Sequence, residues 1–380
     1  SELCPLLVVP GRPVDARLLH REIAPDADAF LMVDTLGRQS LAYGVEEVPV
    51  PRVYWAIDVH MNFFWQRHYA GLFDLVLSAQ KDYVPLLAAE GVPARWLPWG
   101  IDAEVFHDPG LPRPIDIAFV GVVDAHRPKR TAALAELRRR FDVQTFGADA
   151  AHRLSPAEMA RVFASAKIVF NESVMGDLNF RTFEAMACGA LLLTERIDNG
   201  LCDLFVPGRH LAAYDPDTLV AEAERLLGSP RERERMAREG AALVAARHTM
   251  GARMAALTDW LTAGVPRRDT RARAAACFGV AAELTIARGL SDPPALLRLT
   301  AERLQAAVGD RDVESALALA DLMLIAGRDD GALAVLGVAR ETQPDDPRAW
   351  LFASEIERRR GRMAEAAMLA RSSAHSVESA

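Results

Sequence analysis

The sequence predicts two consecutive α/β units, each on a parallel sheet, followed by an all-helical region. Three observations carry that reading. Short continuous apolar runs alternate with helical stretches through the first two thirds of the chain, as strands do when crossover helices cover both faces of their sheet. A turn-rich stretch, HDPGLPRP at 107–114, interrupts the alternation and reads as an interdomain linker. From about residue 265 helix follows helix, rich in Ala, Leu, Arg and Glu, without a strand signal. The boundaries are therefore 1–108, 109–264 and 265–380.

In order, the first unit has the runs CPLLVVP (4–10), AFLMVDT (29–35), RVYWAID (52–58), DLVLSA (74–79) and ARWLPWG (94–100). The second has DIAFVGV (116–122), a helix over 129–140, VQTFG (143–147), a helix from Ser155, and KIVFNE (167–172). A helix ending at Gly189 and the strand ALLLTE (190–195) follow; after GRHLAAYD (208–215) come helices near 216–227, 230–247 and 250–262. Two doubly wound units put a crevice beyond the carboxyl ends of their strands, where ligands bind. In the tail, GRDDGALAVL from Gly327 and GRMAEAAMLA from Gly361 lie 34 residues apart, with Ala332 and Ala366 in register. Pro344 and Trp350 supply the punctuation and first aromatic of a helix-turn-helix unit. That period resembles the tetratricopeptide repeat.

Composition excludes several classes. With 51% hydrophobic and 25% charged residues the chain is globular, and no apolar run reaches the ~20 residues of a membrane helix. It is expected to be cytoplasmic. A net charge of −8 argues against a general nucleic-acid binder. Cys4, Cys188, Cys202 and Cys277 show no paired spacing; reduced core residues are expected, and no zinc site. No G-x-G-x-x-G or P-loop is present, which weighs against a dehydrogenase or an NTPase.

The stretch DLNFRTFEAMACGALLLTER (177–196) carries the chemistry. Asp177 or Asn179 can cap the helix, and Gly189 supplies the left-handed residue that ends it. The free N–H groups and dipole at its start favour a phosphate, and Arg181 in the first turn adds positive charge. Glu184 lies on a largely apolar helix, where a carboxylate is costly without partners; two adjacent sugar hydroxyls would satisfy it. The alternative is an Arg181–Glu184 pair on the helix surface. After DIAFVGV, Gly121 permits close backbone approach, and Arg127, Lys129 and Arg130 follow. Basic groups of this kind can stabilise developing negative charge; the other reading is a solvated charge run. AIDVH puts Asp58 and His60 just past a strand end. Phe63, Phe64, Trp65 and Tyr69 follow, either as an acceptor surface or as core. Asp26/Asp28, Asp215/Asp217 and Asp310/Asp312 form D-x-D strings, read as surface or turn residues rather than as Mg²⁺ or Mn²⁺ ligands.

NFRTFEAMACGALLLTE resembles the C-terminal nucleotide-binding motif of retaining GT-B glycosyltransferases, specifically the CgeB-like (spore maturation protein) branch of the family 4-like enzymes. FVG with its basic cluster, YWAIDVHMNFFW (54–65), FDLVLSAQKDYVPLL (73–87) and LPWGIDAEVF (97–106) resemble that branch too, collinearly over roughly 50–262. The resemblance implies two Rossmann-like domains facing a cleft, the N-terminal one on the acceptor side. It puts Glu184 on the ribose of a nucleotide-diphosphate sugar such as a UDP-sugar, the basic loop at the diphosphate, and His60 near the donor sugar. It further implies retaining, metal-independent transfer without a cofactor. One departure is visible. The family carries another Glu eight positions before the ribose Glu, and Gly176 stands there, with Asp177 and Asn179 as substitutes. The tail is expected to recruit a protein acceptor, such as a bacterial surface or flagellar protein, or to mediate homodimerisation. The alternatives are a helical-repeat scaffold with a vestigial sugar site, or an epimerase or phosphorylase of the same architecture.

Overall fold

The structure, a computed structural model, describes residues 12–34, 37–147, 153–291 and 293–378. The expected first strand, CPLLVVP, and Cys4 lie outside them. Two compact units form. One gathers the residues up to 77 with 85–95 and 265–380; the other gathers 78–84 and 96–264.

The first unit is built on strands Phe30–Val33, Arg52–Ala56, Leu75–Ser78 and Ala94–Trp96, in that spatial order. The first two are parallel, with Phe30 opposite Arg52. All of Arg52–Ala56 is buried, as expected of a continuous apolar run covered on both faces. Arg52 is the exception in kind. Its guanidinium donates to Asp74 at 2.9 and 2.5 Å, to the Thr270 hydroxyl at 2.9 Å and to the Arg268 carbonyl at 2.6 Å. Burial works to raise the Asp74 pKa, but hydrogen bonds from Arg52 and the Arg268 N–H prevail and hold it below its ordinary value. A fully paired buried ion pair thus anchors the start of the helical tail.

The tail shares this unit's core. Its first helix, Arg271–Ala287, meets the helix Val59–Tyr69 and the turn after it. A side chain at Gly71 would strike the Cys277 sulfur at 2.6 Å. Phe278 packs edge-on against Tyr43, and Arg288 lies over Phe64. Trp65 and Tyr69 are buried, with the Tyr69 hydroxyl bonded to both backbone groups of Ala42; these two aromatics are core, not acceptor surface. Five more helices follow: Pro293–Gly309, Val313–Ile325, Asp329–Thr342, Pro347–Arg359 and Met363–Glu378. Helix starts at 313 and 347, and at 329 and 363, are each 34 residues apart. Ala332 and Ala366 are both buried, so the sequence repeat marks a packing register.

The second unit holds five parallel strands in the order Ala212–Tyr214, Leu191–Glu195, Ala166–Asn171, Ile115–Val120, Val143–Phe146. Side chains alternate between two core layers: Leu192 joins the one with Phe183 and Met186, Leu191 and Leu193 the one with Leu134 and Met236. The expected helix start at Ser155 closes a capping box with Glu158. The edge strand Ala212–Tyr214 was not among the expected strands; three residues are too few for a periodic signal. The segment read as a linker packs inside this unit, Arg113 donating to the Cys188 and Ala166 carbonyls. Cys188 and Cys277 are buried, but Cys202 is exposed and corrects the expectation of a core residue. No described helix is long and apolar enough to cross a membrane.

Candidate functional site

In chain order the second sheet runs 2-1-3-4-5, so connections from the first strand, Ile115–Val120, and the third, Ala166–Asn171, leave in opposite directions. Crevices for ligands open beyond the carboxyl ends of such a strand pair. Gly121 follows the first of them. Its φ is +146°, and a Cβ there would meet the Arg181 guanidinium at 2.8 Å, so only glycine fits.

Arg181 occupies this point. It donates to the Val120 carbonyl at 2.9 Å and the Asn171 side chain at 2.5 Å, and lies 4.6 Å from the Phe119 ring centre. Burial, then the like charge of Arg130, bring its pKa down to about 10. The alternative expectation of an Arg181–Glu184 surface pair is therefore corrected: Arg181 turns back to the sheet, and no described residue bonds the Glu184 carboxylate. Glu184 is half-buried, and burial, opposed by Arg181, pushes its pKa up to about 7. A carboxylate in this state is set to accept from hydroxyl donors.

The helix carrying both is Phe180–Ala187. Asn179 is at its N-cap in extended geometry, yet its side chain makes no cap bond. The Asp177 carboxylate instead accepts the Val174 N–H at 2.5 Å. The expected side-chain cap is thus absent; the Thr182 N–H donates to the Asn179 carbonyl at 3.2 Å, and the N–H groups of Phe180 and Arg181 are left for a ligand. Burial raises the Asp177 pKa to about 6 against the pull of that bond, Arg181 and Arg130. Gly189 ends the helix at φ +74°, where a Cβ would collide with Asp108 at 2.3 Å.

The three basic residues after Gly121 separate by environment. Arg130 points inward: its side chain is 6% exposed, pairs with Glu172 at 2.8 Å and donates to the Val122 carbonyl. Lys129 is more than half exposed and pairs with Glu195, which also accepts from Ser173. Arg127 pairs locally with Asp124 at 2.8 Å. A cavity of about 390 Å³ opens here, lined by Lys129, Glu172, Tyr214 and Asp217 among others.

Glu172, Glu195 and Asn171 were not singled out in the sequence, although each ends or follows a strand of the second sheet; that position was the available signal. Asp58 and His60 belong to the first unit. His60 is buried, and burial lowers its pKa while Asp58 opposes the shift. Asp34, also missed, ends the strand Phe30–Val33. It accepts from Tyr54, from the Ile57 N–H and from Gln66, and burial raises its pKa to about 7. Among the D-x-D strings, Asp312 caps a helix through the Ser315 N–H and Asp215 pairs with Arg196, while Asp26 and Asp28 are exposed. Among the described residues no group of three or more His, Cys, Asp or Glu could hold a metal ion.

Residues 127–259 match the family model described as glycosyl transferase-like. No curated protein matches the sequence. Among solved structures, the chain is similar to a sucrose-phosphate synthase from Thermosynechococcus elongatus, at 14% identity over 65% of this chain and 76% of that one, with a TM-score of 0.46. It is also similar to Anabaena HepE in complex with UDP and glucose, at 14% identity over 56% and 72%, TM-score 0.45. A UDP-forming trehalose-phosphate synthase from Burkholderia xenovorans matches at 14% identity over 67% and 77%, TM-score 0.45. The stretch 127–259, which is glycosyl transferase-like, contains Arg130, Glu172, Arg181 and Glu184.

Proposed function

We propose that this enzyme transfers a sugar from a nucleotide-diphosphate sugar, with retention and without a metal ion. The observation that carries the reading is Glu184. It is a half-buried carboxylate to which no described residue hydrogen-bonds, one turn inside a helix whose N-terminus lacks a side-chain cap. A nucleotide's ribose supplies the two hydroxyl donors that it needs. The diphosphate then falls at the first-turn N–H groups, within the field of Arg181 and Arg130.

The chemistry follows from charge. Cleaving the sugar–phosphate bond places negative charge on the departing diphosphate, and helix N–H groups with nearby guanidinium groups stabilise it as it forms. In a front-face reaction the departing phosphate oxygen accepts the acceptor's proton, so no separate base is needed. His60 and Asp58 are assigned to orienting the donor sugar; burial lowers the His60 pKa while Asp58 opposes the shift. UDP-sugars are the first donors to test. The hairpins of 313–378 are assigned to acceptor contact, because the tail's first helix is committed to the core of the first unit.

Nucleotide-sugar hydrolysis and transfer are expected to persist at near-full rate in EDTA, with the anomeric configuration of the donor kept in the product. Complete loss in chelator, restored by Mn²⁺ or Mg²⁺, or an inverted product, would overturn this chemistry.

A further inference from the structure

Gln80 comes from the first half of the sequence but belongs to the compact unit of the donor site. It is 3% exposed. Its carboxamide oxygen accepts the Leu178 N–H at 2.8 Å, and its nitrogen donates to the Leu178 carbonyl at 3.4 Å. One side chain thus grips both backbone groups of one residue, as a paired strand would. Asn199 is buried beside it. The Asn199 nitrogen donates to the Gln80 oxygen at 2.6 Å and to the Gly176 carbonyl at 3.2 Å, while its oxygen accepts the Asp82 N–H at 3.1 Å.

The gripped segment is a bend. Met175 and Gly176 adopt φ of +58° and +79°, a conformation unfavourable for methionine. The Met175 side chain is 75% exposed, so its own packing does not hold it there. Such a backbone persists where its surroundings over-determine it. Here the bonds at Val174, Gly176 and Leu178 do so, that at Gly176 made by Asn199 and those at Leu178 by Gln80.

The bend lies directly before the Phe180–Ala187 helix. With the ribose on Glu184 and the diphosphate at the first turn, the sugar extends past the N-terminus over residues 174–178. We infer that Gln80 and Asn199 are positioning residues for the sugar half of the donor, fixing the Val174–Leu178 bend against which that sugar lies. The inference rests on the donor-site reading above, and it gives function to a side-chain pair remote from the reacting atoms.

The test compares a nucleoside diphosphate with its sugar conjugate on the full chain: UDP with UDP-glucose, GDP with GDP-mannose, ADP with ADP-glucose and TDP with TDP-glucose. Gln80→Leu is expected to leave affinity for the cognate diphosphate within about threefold. Affinity for the sugar conjugate and kcat should each fall by about tenfold or more, because a small misplacement at the reacting end is costly. Gln80→Glu keeps both accepted bonds but buries a charge and sets a carboxylate oxygen against the Leu178 carbonyl, so it should show the same sugar-specific loss. Asn199→Asp, which loses both donations, should reproduce that loss; these two isosteric changes carry the comparison if Gln80→Leu does not fold. Equal weakening of diphosphate and conjugate, or no change in either, overturns the inference. A wild-type chain that binds none of the eight probes overturns the donor-site reading itself, before any variant is made.

Discussion

Deleting residues 265–380 is expected to unfold the N-terminal sheet rather than to trim an accessory domain. Phe278 of the first tail helix is buried against Tyr43, and a large apolar side chain lost from a core costs about 1.5–3 kcal/mol. Arg52 and Asp74 would lose Thr270 and Arg268, weakening a buried pair whose disruption costs about 3–5 kcal/mol. The helix Val59–Tyr69 would also lose its cover. Together these reach the roughly 5–15 kcal/mol that holds a whole domain. Hydrogen exchange on the truncated chain should show loss of protection across 52–69, while the strands from Ile115 to Glu195 keep theirs. Native protection in both regions would mean that the tail is dispensable for folding.

The second large effect is at Arg130. Arg130→Met leaves the Glu172 carboxylate, 7% exposed, buried without its partner. That situation costs about 3–5 kcal/mol. Arg127→Ala removes a cation from a pair about one third exposed on both sides, worth about 0–1 kcal/mol. Chemical denaturation should therefore separate Arg130 from Arg127 by several kcal/mol. The double variant Arg130→Met with Glu172→Leu should recover much of the loss, because it removes the stranded charge. A small cost for Arg130→Met alone would show that Glu172 finds water or another donor.

The strands Ile115–Val120, Ala166–Asn171 and Leu191–Glu195 of the second sheet were legible from their largely apolar runs, and Ser155 and Gly189 announce a helix start and a helix stop by residue type alone. Ala212–Tyr214 escaped because a three-residue edge strand has no period. Gly121 was legible from its place directly after a strand; Glu184 stood out as a carboxylate on an apolar helix, and its ribose role rests on the family resemblance. The partners of Arg130 and Arg181 were not, since Glu172, Val122, Val120 and Asn171 come together only when two strand ends meet at the sheet's switch point. Asn179 misled for a related reason: its residue type favours a cap, but its Oδ1 accepts from the Thr182 hydroxyl at 3.4 Å rather than from a backbone N–H. The sharing of one core by the tail and the N-terminal sheet rests on contacts such as Gly71 with Cys277, about 200 residues apart. No local pattern encodes a contact of that kind.

The central claim is that Glu184 receives the ribose of a nucleotide-diphosphate sugar. Calorimetric titration of the cognate nucleotide into wild type and Glu184→Ala, at pH 6 and pH 8, tests it most directly. Burial raises the Glu184 pKa to about 7, so in the free protein this group stabilises the fold most below its ordinary value and loses that contribution as pH rises through about 7. Ribose binding needs the carboxylate, so affinity should move the other way, rising about tenfold from pH 6 to pH 8. Glu184→Ala should weaken binding at pH 8 by about 1.5–3 kcal/mol, the scale of a charge-assisted hydrogen bond, and remove the pH dependence. A folded Glu184→Ala variant that binds the nucleotide as tightly as wild type, with the same pH profile, would contradict the account.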